Sequence, residues 1–384
     1  MGTAGAEEKL PGWNYEKLTP DFDAEVGSPP LLAKVWPRSF FLAANDIESR
    51  AYRFVKAIFK YLAAVNLTPV PVSGHPIYTS SQDVSVIVPT IDPDPSTFQD
   101  ALLTWYDNGP REIIIVTTQA YLSQVRDLVD DALKNVSGKS VKQSGEVVKA
   151  VAIPRVNIFS ITRASKRKQL AHGISQAGGR IVVLCDDDVF WPTSDVNDHG
   201  FLSRVLACFE DARVGGVGTL QRARPPTVDA QEHSIFEPEP SYGQATSAPN
   251  SVTRTIAEEL AAWRLCQRNF SIAGTQFLDG SITCLSGRTA AYRASVLKDE
   301  AFIRQFTHDL WRGKQLLDSG DDTFITRWLY SHGWRVRIQM DSEARIETTV
   351  AKDWRKFGKQ MLRWTRNSRR SYLRCLFGIP GIWR

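Results

Sequence analysis

Short uninterrupted apolar runs, separated by stretches of helical period, constrain the fold of this chain more than any other feature. Val84-Ser85-Val86-Ile87-Val88-Pro89, residues 112–116 (EIIIV) and residues 180–185 each read as a strand. Runs of this kind are buried on both faces, as in a parallel sheet. Residues 97–105, 120–134 and 165–177 read as the intervening helices, and a further strand is expected near 147–153. Strands alternating with helices predict a doubly wound α/β sheet. In such sheets a ligand sits beyond the carboxyl ends of the strands, and there the chain places Asp186-Asp187-Asp188. A length of 384 residues accommodates one large α/β domain with terminal additions.

Outside that core the composition changes. Residues up to about 30 are rich in Gly, Pro and acids and are expected to be poorly ordered. From 51 to 67 the pattern is helical, with Arg53, Lys56 and Lys60 on one stripe and Phe54, Ile58, Phe59, Tyr61, Leu62 and Val65 around the rest. That pattern suits either a helix lying in a bilayer interface or one docked on the domain core. Residues 222–251 are dominated by Pro, Ser, Glu and Gln and are expected to form a mobile insertion. The expected organisation is therefore an N-terminal segment over 1–82, an α/β domain over 83–345 and a basic helix over 346–384.

Charge is unevenly spread. Ten Lys and Arg against one acid follow residue 351, so a chain of net charge +5 is slightly acidic before that point. A basic tail points to an anionic partner. Five scattered cysteines without a CxxC pair fit neither a disulfide framework nor a zinc site, and favour a reducing compartment. No run approaches the ~18 apolar residues needed for a membrane span.

Four motifs carry chemistry: Asp186-Asp187-Asp188, then Cys284-Leu285-Ser286-Gly287-Arg288, then Gly320-Asp321-Asp322, then Gln360-Met361-Leu362-Arg363-Trp364. In an extended backbone Asp186 and Asp188 face one way and supply two hard oxygen donors, a set suited to Mg²⁺ or Mn²⁺. Asp321 and Asp322 precede a helical run; they read as a helix cap, with Ser319 or Asp321 as the N-cap, or as a general base. In the last motif Arg363 presents a fork for a diphosphate and Trp364 a flat face for a sugar ring.

In this order the four motifs resemble the processive family 2 glycosyltransferases, the hyaluronan, chitin and cellulose synthases, and most closely the fungal hyaluronan-synthase-like capsule enzymes. The similarity runs from about residue 83 to 370 and includes Lys166-Arg167-Lys168-Gln169-Leu170. It implies a GT-A fold, a Rossmann-like, mostly parallel sheet with flanking helices, here with amphipathic interfacial helices at both ends. It further implies inverting, metal-dependent transfer from a UDP-sugar to a growing β-linked polysaccharide. Asp322 would then be the base. Pro89, Thr90, Lys166, Arg167, Asp186, Asp187, Asp188 and Arg363 would bind the donor, with Mg²⁺ or Mn²⁺ on Asp186 and Asp188. Cys284, Ser286, Gly287, Arg288, Asp321, Gln360 and Trp364 would line the acceptor or polymer. The expected partners are a UDP-sugar, a polysaccharide acceptor and a membrane surface with the active site on its cytoplasmic side, and no nucleic acid. A single-sugar transferase of the same fold and an inactive membrane-surface fragment are the alternatives.

Two departures stand out. The family often places a uracil-reading Asp after the second strand, where this chain has Thr117 and Thr118. The transmembrane spans that follow in the family have no counterpart in these 384 residues.

Overall fold

The protein is described here from a computed structural model covering residues 54–55, 57–139, 153–193, 200–225 and 254–378. Residues 59–307 and 318–384 group as one compact unit. Its centre is a seven-stranded sheet of β1 (Val84–Pro89), β2 (Glu112–Thr118), β3 (Arg155–Ile161), β4 (Ile181–Cys185), β6 (Val214–Thr219), β8 (Thr289–Arg293) and β11 (Arg335–Gln339), in the order β11-β6-β8-β4-β1-β2-β3. Only β8 runs antiparallel to its neighbours; the remaining pairs are parallel. Helices α1 (Pro95–Asp107), α2 (Leu122–Lys139) and α3 (Lys166–Gln176) connect β1 to β4 in turn.

The apolar runs divide as the period of a strand requires. Val84, Val86 and Val88 of β1 join Ile113, Ile115, Ile181 and Val183 in a core on one face, with Phe98 and Trp105 of α1. Ile87 joins Ile114, Val182 and Leu184 on the other, with Leu170 and Ile174 of α3. Burial on both faces is why these strands show no polar alternation.

Close approach of α3 to β1 depends on Gly173. A Cβ there would stand 2.4 Å from Ile87 Cγ2, too near for any real contact. Gly173→Ala should therefore lower stability by about 1–3 kcal/mol, the range for overpacking a filled core. A urea midpoint equal to that of the parent would show that the contact relaxes without cost.

Three of the expected elements either differ from the structure or fall on residues outside its described part. The strand expected near 147–153 falls almost wholly on residues 140–152, outside the described part of the chain, and a strand runs over Arg155–Ile161. As the edge strand it is only half-buried, so its sequence carries Asn157 and Ser160 rather than an apolar run. Arg222 and Ala223, expected in the insertion, belong to β7 (Gln221–Ala223), while 226–253 lie outside the described residues. The stripe formed by Arg53, Lys56 and Lys60 cannot be followed in full, because the first two also lie outside them. Lys60 itself turns inward, donating to Ser271 Oγ at 2.7 Å on α5 (Ile256–Asp279). The helical residues 59–66 are thus docked on α5, yet Phe59, Tyr61, Leu62 and Val65 stay exposed.

A second, three-stranded sheet joins β5 (Val189–Phe190), β12 (Ile346–Thr348) and β7. Helices α4 (Phe201–Ala207), α6 (Glu300–Thr307), α7 (Asp321–Ser331) and α8 (Trp354–Gly378) complete this unit. Residues 308–317 group apart from this unit and contain the antiparallel pair β9 (Leu310–Trp311) and β10 (Gln315–Leu316). Among the described residues no helix is long and apolar enough to cross a membrane.

Candidate active site

The carboxyl ends of β1 and β4 lie side by side, and the site is assembled on them. Thr90 follows β1, is buried, and donates its hydroxyl to Asp187 Oδ2 at 2.5 Å. Gln169, fully buried on α3, holds that end in place by donating to the carbonyls of Thr90 (3.0 Å) and Val116 (2.7 Å). An amide on an otherwise apolar helix face was the available signal for this residue, which the motif reading did not single out.

The three aspartates form a turn between β4 and β5 rather than an extension of the strand, so the alternating geometry expected of Asp186 and Asp188 does not apply. Each carboxylate instead has its own partner. Asp186 Oδ1 accepts from Lys166 Nζ at 2.6 Å, Asp187 from Thr90, and Asp188 Oδ2 from Thr349 Oγ1 at 2.6 Å. Thr349 follows β12, which pairs with β5, so the second sheet sets the orientation of Asp188.

Lys166 opens α3, whose N-cap Ser165 accepts from the Lys168 amide. Its ammonium bridges Asp186 and, at 3.3 Å, Asp321 Oδ2. Burial works against its charge, but Asp186 and Asp321 outweigh burial and raise its pKa above the usual lysine range. A Cβ on Gly287 would come within 3.3 Å of Nζ and 3.5 Å of Asp321 Oδ2, which accounts for a glycine at that position. Pro89, Lys166, Asp186, Gly287, Asp321 and Asp322 border one small cavity.

Neither Ser319 nor Asp321 caps α7. The N-cap is Gly320, in the left-handed conformation (φ 79°), with Asp321 and Asp322 in the first turn. Arg167, expected at the nucleotide, is buried and donates to the carbonyls of Phe306 (3.0 Å), Ser319 (3.2 Å) and Gly320 (3.3 Å). It fixes the loop that presents the two acids. Asp322 Oδ1 accepts from the Thr323 amide at 2.7 Å. Burial, and then Asp321, push the Asp322 carboxyl above its ordinary range. Burial, and then Asp322, likewise push the Cys284 thiol well up, so it is a poor nucleophile.

Ser286 is buried and accepts from the Arg288 amide at 3.4 Å, shaping the turn that carries Gly287. The Arg288 carbonyl accepts from the Asp186 amide (3.0 Å), its guanidinium reaches Thr348 Oγ1 (3.2 Å), and it lies 5.4 Å from the Trp364 ring centroid. Trp364 therefore joins the site. Gln360 is half-buried on the same helix, whereas Arg363 is exposed. α8 is anchored through Asn367, which accepts from Ser319 Oγ (3.1 Å), and through Ser371, which accepts from Arg327 (3.0 Å).

Among the described residues no group of three or more His, Cys, Asp or Glu side chains is arranged to hold a metal ion, so Asp186 and Asp188 would supply two oxygen donors at most. Burial raises the Asp188 pKa, and the neighbouring Asp186 raises it further, so negative charge is concentrated there. Two carboxylates leave further positions for phosphate and water, as Mg²⁺ requires. Burial also lifts Asp187 to about 6. A folded-state pKa above the unfolded value means that the native protein binds the proton more tightly. The stability contributed by Asp187 is accordingly complete below about pH 4 and is lost as pH rises through about 6, and the raised Asp188 and Asp322 carboxyls act in the same direction. Without divalent cations the melting temperature should fall across that interval, and Asp187→Asn should flatten the decline. A melting temperature that climbs across it would contradict the assignment.

A model of the family described as "Glycosyltransferase like family 2" matches residues 83–367. The chain is 32% identical over 337 residues to a "Type 2 glycosyltransferase" of Zymoseptoria tritici, covering 86% of this chain and 59% of that protein. It is also 32% identical over 326 residues to "NDP-glycosyltransferase ltbB" of Aspergillus luteorubrus, covering 85% and 69%. It thus spans well under two thirds of the Zymoseptoria relative. In fold it is similar to the mannosyltransferase PcManGT of Pyrobaculum calidifontis, solved in complex with GDP-Man and Mn²⁺, at a TM-score of 0.51 and 17% identity, covering 86% and 74%. The fold is therefore GT-A-like.

Proposed function

The chain belongs to the family 2 glycosyltransferases, and we propose that it transfers a sugar, from a UDP-sugar onto a β-linked polysaccharide, with inversion. The observation that carries this reading is the bridge made by Lys166 between Asp186 and Asp321, which brings two motifs far apart in sequence to one cavity.

Pro89, Thr90 and Asp187 bound the nucleotide side, and Lys166 supplies a cation for the diphosphate. Asp186 and Asp188 would hold Mg²⁺ or Mn²⁺, which when bound offsets charge on the departing diphosphate. Asp322, with its raised pKa, takes the proton of the acceptor hydroxyl. That hydroxyl attacks the anomeric carbon as the bond to UDP breaks, in one displacement, and the product is therefore the opposite anomer. Trp364, held against Arg288, gives the growing chain a stacking surface. Arg363 is exposed and takes no part in the arrangement described. The basic helix α8 and the apolar residues exposed on 59–66 support peripheral membrane association.

The test is UDP release from a panel of UDP-sugars with Mn²⁺, followed by sizing of the product. Long products support the polymerase reading, and a single addition would limit it to one-step transfer. Absence of UDP release with every donor would sink it.

A further inference from the structure

α5 presents one inward row: Ala257, Ala261, Leu265, Ile272 and Ala273 are buried against the sheet. Arg268 occupies the position between Leu265 and Ile272 where that row calls for an apolar side chain. Among the described residues its guanidinium makes one hydrogen bond, to the carbonyl of Cys284 at 3.0 Å, and no salt bridge. Arg288 is in a similar state. It reaches Thr348 Oγ1 and, at a long 3.4 Å, Gln221 Oε1, and forms no salt bridge among the described residues. The other end of that amide, Gln221 Nε2, is buried without a hydrogen-bond partner.

Burial, with a smaller contribution from Arg288, holds the Arg268 pKa below the usual arginine range, although Cys284 and Asp322 act the other way. The two arginines meet around Gln221, which accepts from Arg288 and whose backbone pairs with the Asn269 side chain, next to Arg268, and the orphan Gln221 Nε2 belongs to the same partly buried cluster. Arrangements of this kind are costly unless something negative completes them. Asp322 acts on Arg268 and Asp188 acts on Arg288, yet neither pair is close enough for a salt bridge.

We propose that Arg268 and Arg288 bind an oxyanion, a carboxylate or phosphate, carried by the acceptor beside the hydroxyl that is glycosylated; the acceptor is then an acidic saccharide. The inference rests on the transferase reading above. Placement beside Cys284 and Asp322, on the side where the hydroxyl loses its proton, assigns the anion to the acceptor rather than to the donor. A planar guanidinium fork suits either oxyanion, and a second guanidinium doubles the available donors.

The test is binding of glucuronate, glucose 6-phosphate and glucose to the full chain with UDP and Mn²⁺ present, read by calorimetry or ligand-observed NMR. One of the two acidic sugars should bind about tenfold to a hundredfold more tightly than glucose, the range for a charged hydrogen bond. Whichever is preferred identifies carboxylate or phosphate. Arg268→Gln should remove the preference, Arg268→Lys should restore part of it, and the affinity for UDP should be unchanged in both. Equal binding of the three sugars to the parent protein overturns the proposal. So does a parallel loss of UDP affinity in Arg268→Gln, which would place the anion on the donor. If Arg268→Gln does not fold, the preference of the parent protein and its loss with added salt decide the matter. If the parent protein does not bind UDP at all, the transferase reading itself has failed. If UDP binds and acidic sugars gain nothing, only the anion site is lost.

Discussion

Asp322→Asn should reduce turnover by about 10²- to 10⁴-fold, the contribution of a well-placed general base, while leaving UDP affinity nearly unchanged. The amide is isosteric with the acid and can still accept from the Thr323 amide, so the first turn of α7 keeps its geometry. What disappears is the ability to take a proton. The position is demanding because burial and Asp321 already favour the neutral acid. A base of raised pKa is better matched to a hydroxyl than an ordinary carboxylate, provided that it is ionised at the working pH. The measurement is single-turnover transfer together with equilibrium UDP binding. Turnover equal to that of the parent would move the role of base away from Asp322, and a matching loss of UDP affinity would show that the substitution had damaged the donor pocket.

Asp188→Ala should abolish the part of UDP binding that depends on Mn²⁺. Loss of an outer partner of a metal ligand typically costs about 10- to 100-fold in affinity, and loss of a ligand itself should cost at least as much. The substitution also frees Thr349, whose hydroxyl now donates to Asp188 at 2.6 Å. Thr349→Val separates these effects, because it removes the orienting hydrogen bond and keeps the carboxylate. The expected order of UDP affinity in Mn²⁺ is parent, Thr349→Val, Asp188→Ala, with the three converging in chelator. Parent protein that binds UDP equally in Mn²⁺ and in chelator would remove the metal from the site.

Strands β1, β2 and β4 were legible because they are buried on both faces, and continuous burial writes itself as a run such as Ile113-Ile114-Ile115, whereas β6, β8 and β11 were not read from the sequence. The edge strand Arg155–Ile161 was not, because half-burial permits Asn157 and Ser160 and so erases the pattern. The acidic motifs were legible as clusters of carboxylates but not as geometry. Periodicity assumed that the strand continued through Asp188, whereas β4 ends at Cys185 and the chain turns. Helix periodicity similarly could not tell Lys166 from Arg167. They are adjacent on α3, and only the packing of Phe306 and Gly320 shows that one faces the acids and the other the loop behind them. Arg268 left no sign because an arginine on a helix is ordinarily read as solvated. Its inward position emerges only once Leu265 and Ile272 are seen to be buried on either side.

One ammonium, that of Lys166, is shared by carboxylates from two distant parts of the sequence. Asp186 and Asp321 are therefore not independent in the thermodynamic sense. Neutralising either one leaves the other with the whole of the cation, so substitutions at the two positions will not add, and the energy assigned to one motif depends on whether the other is intact. The acidic turn and the start of α7 behave as a single energetic unit.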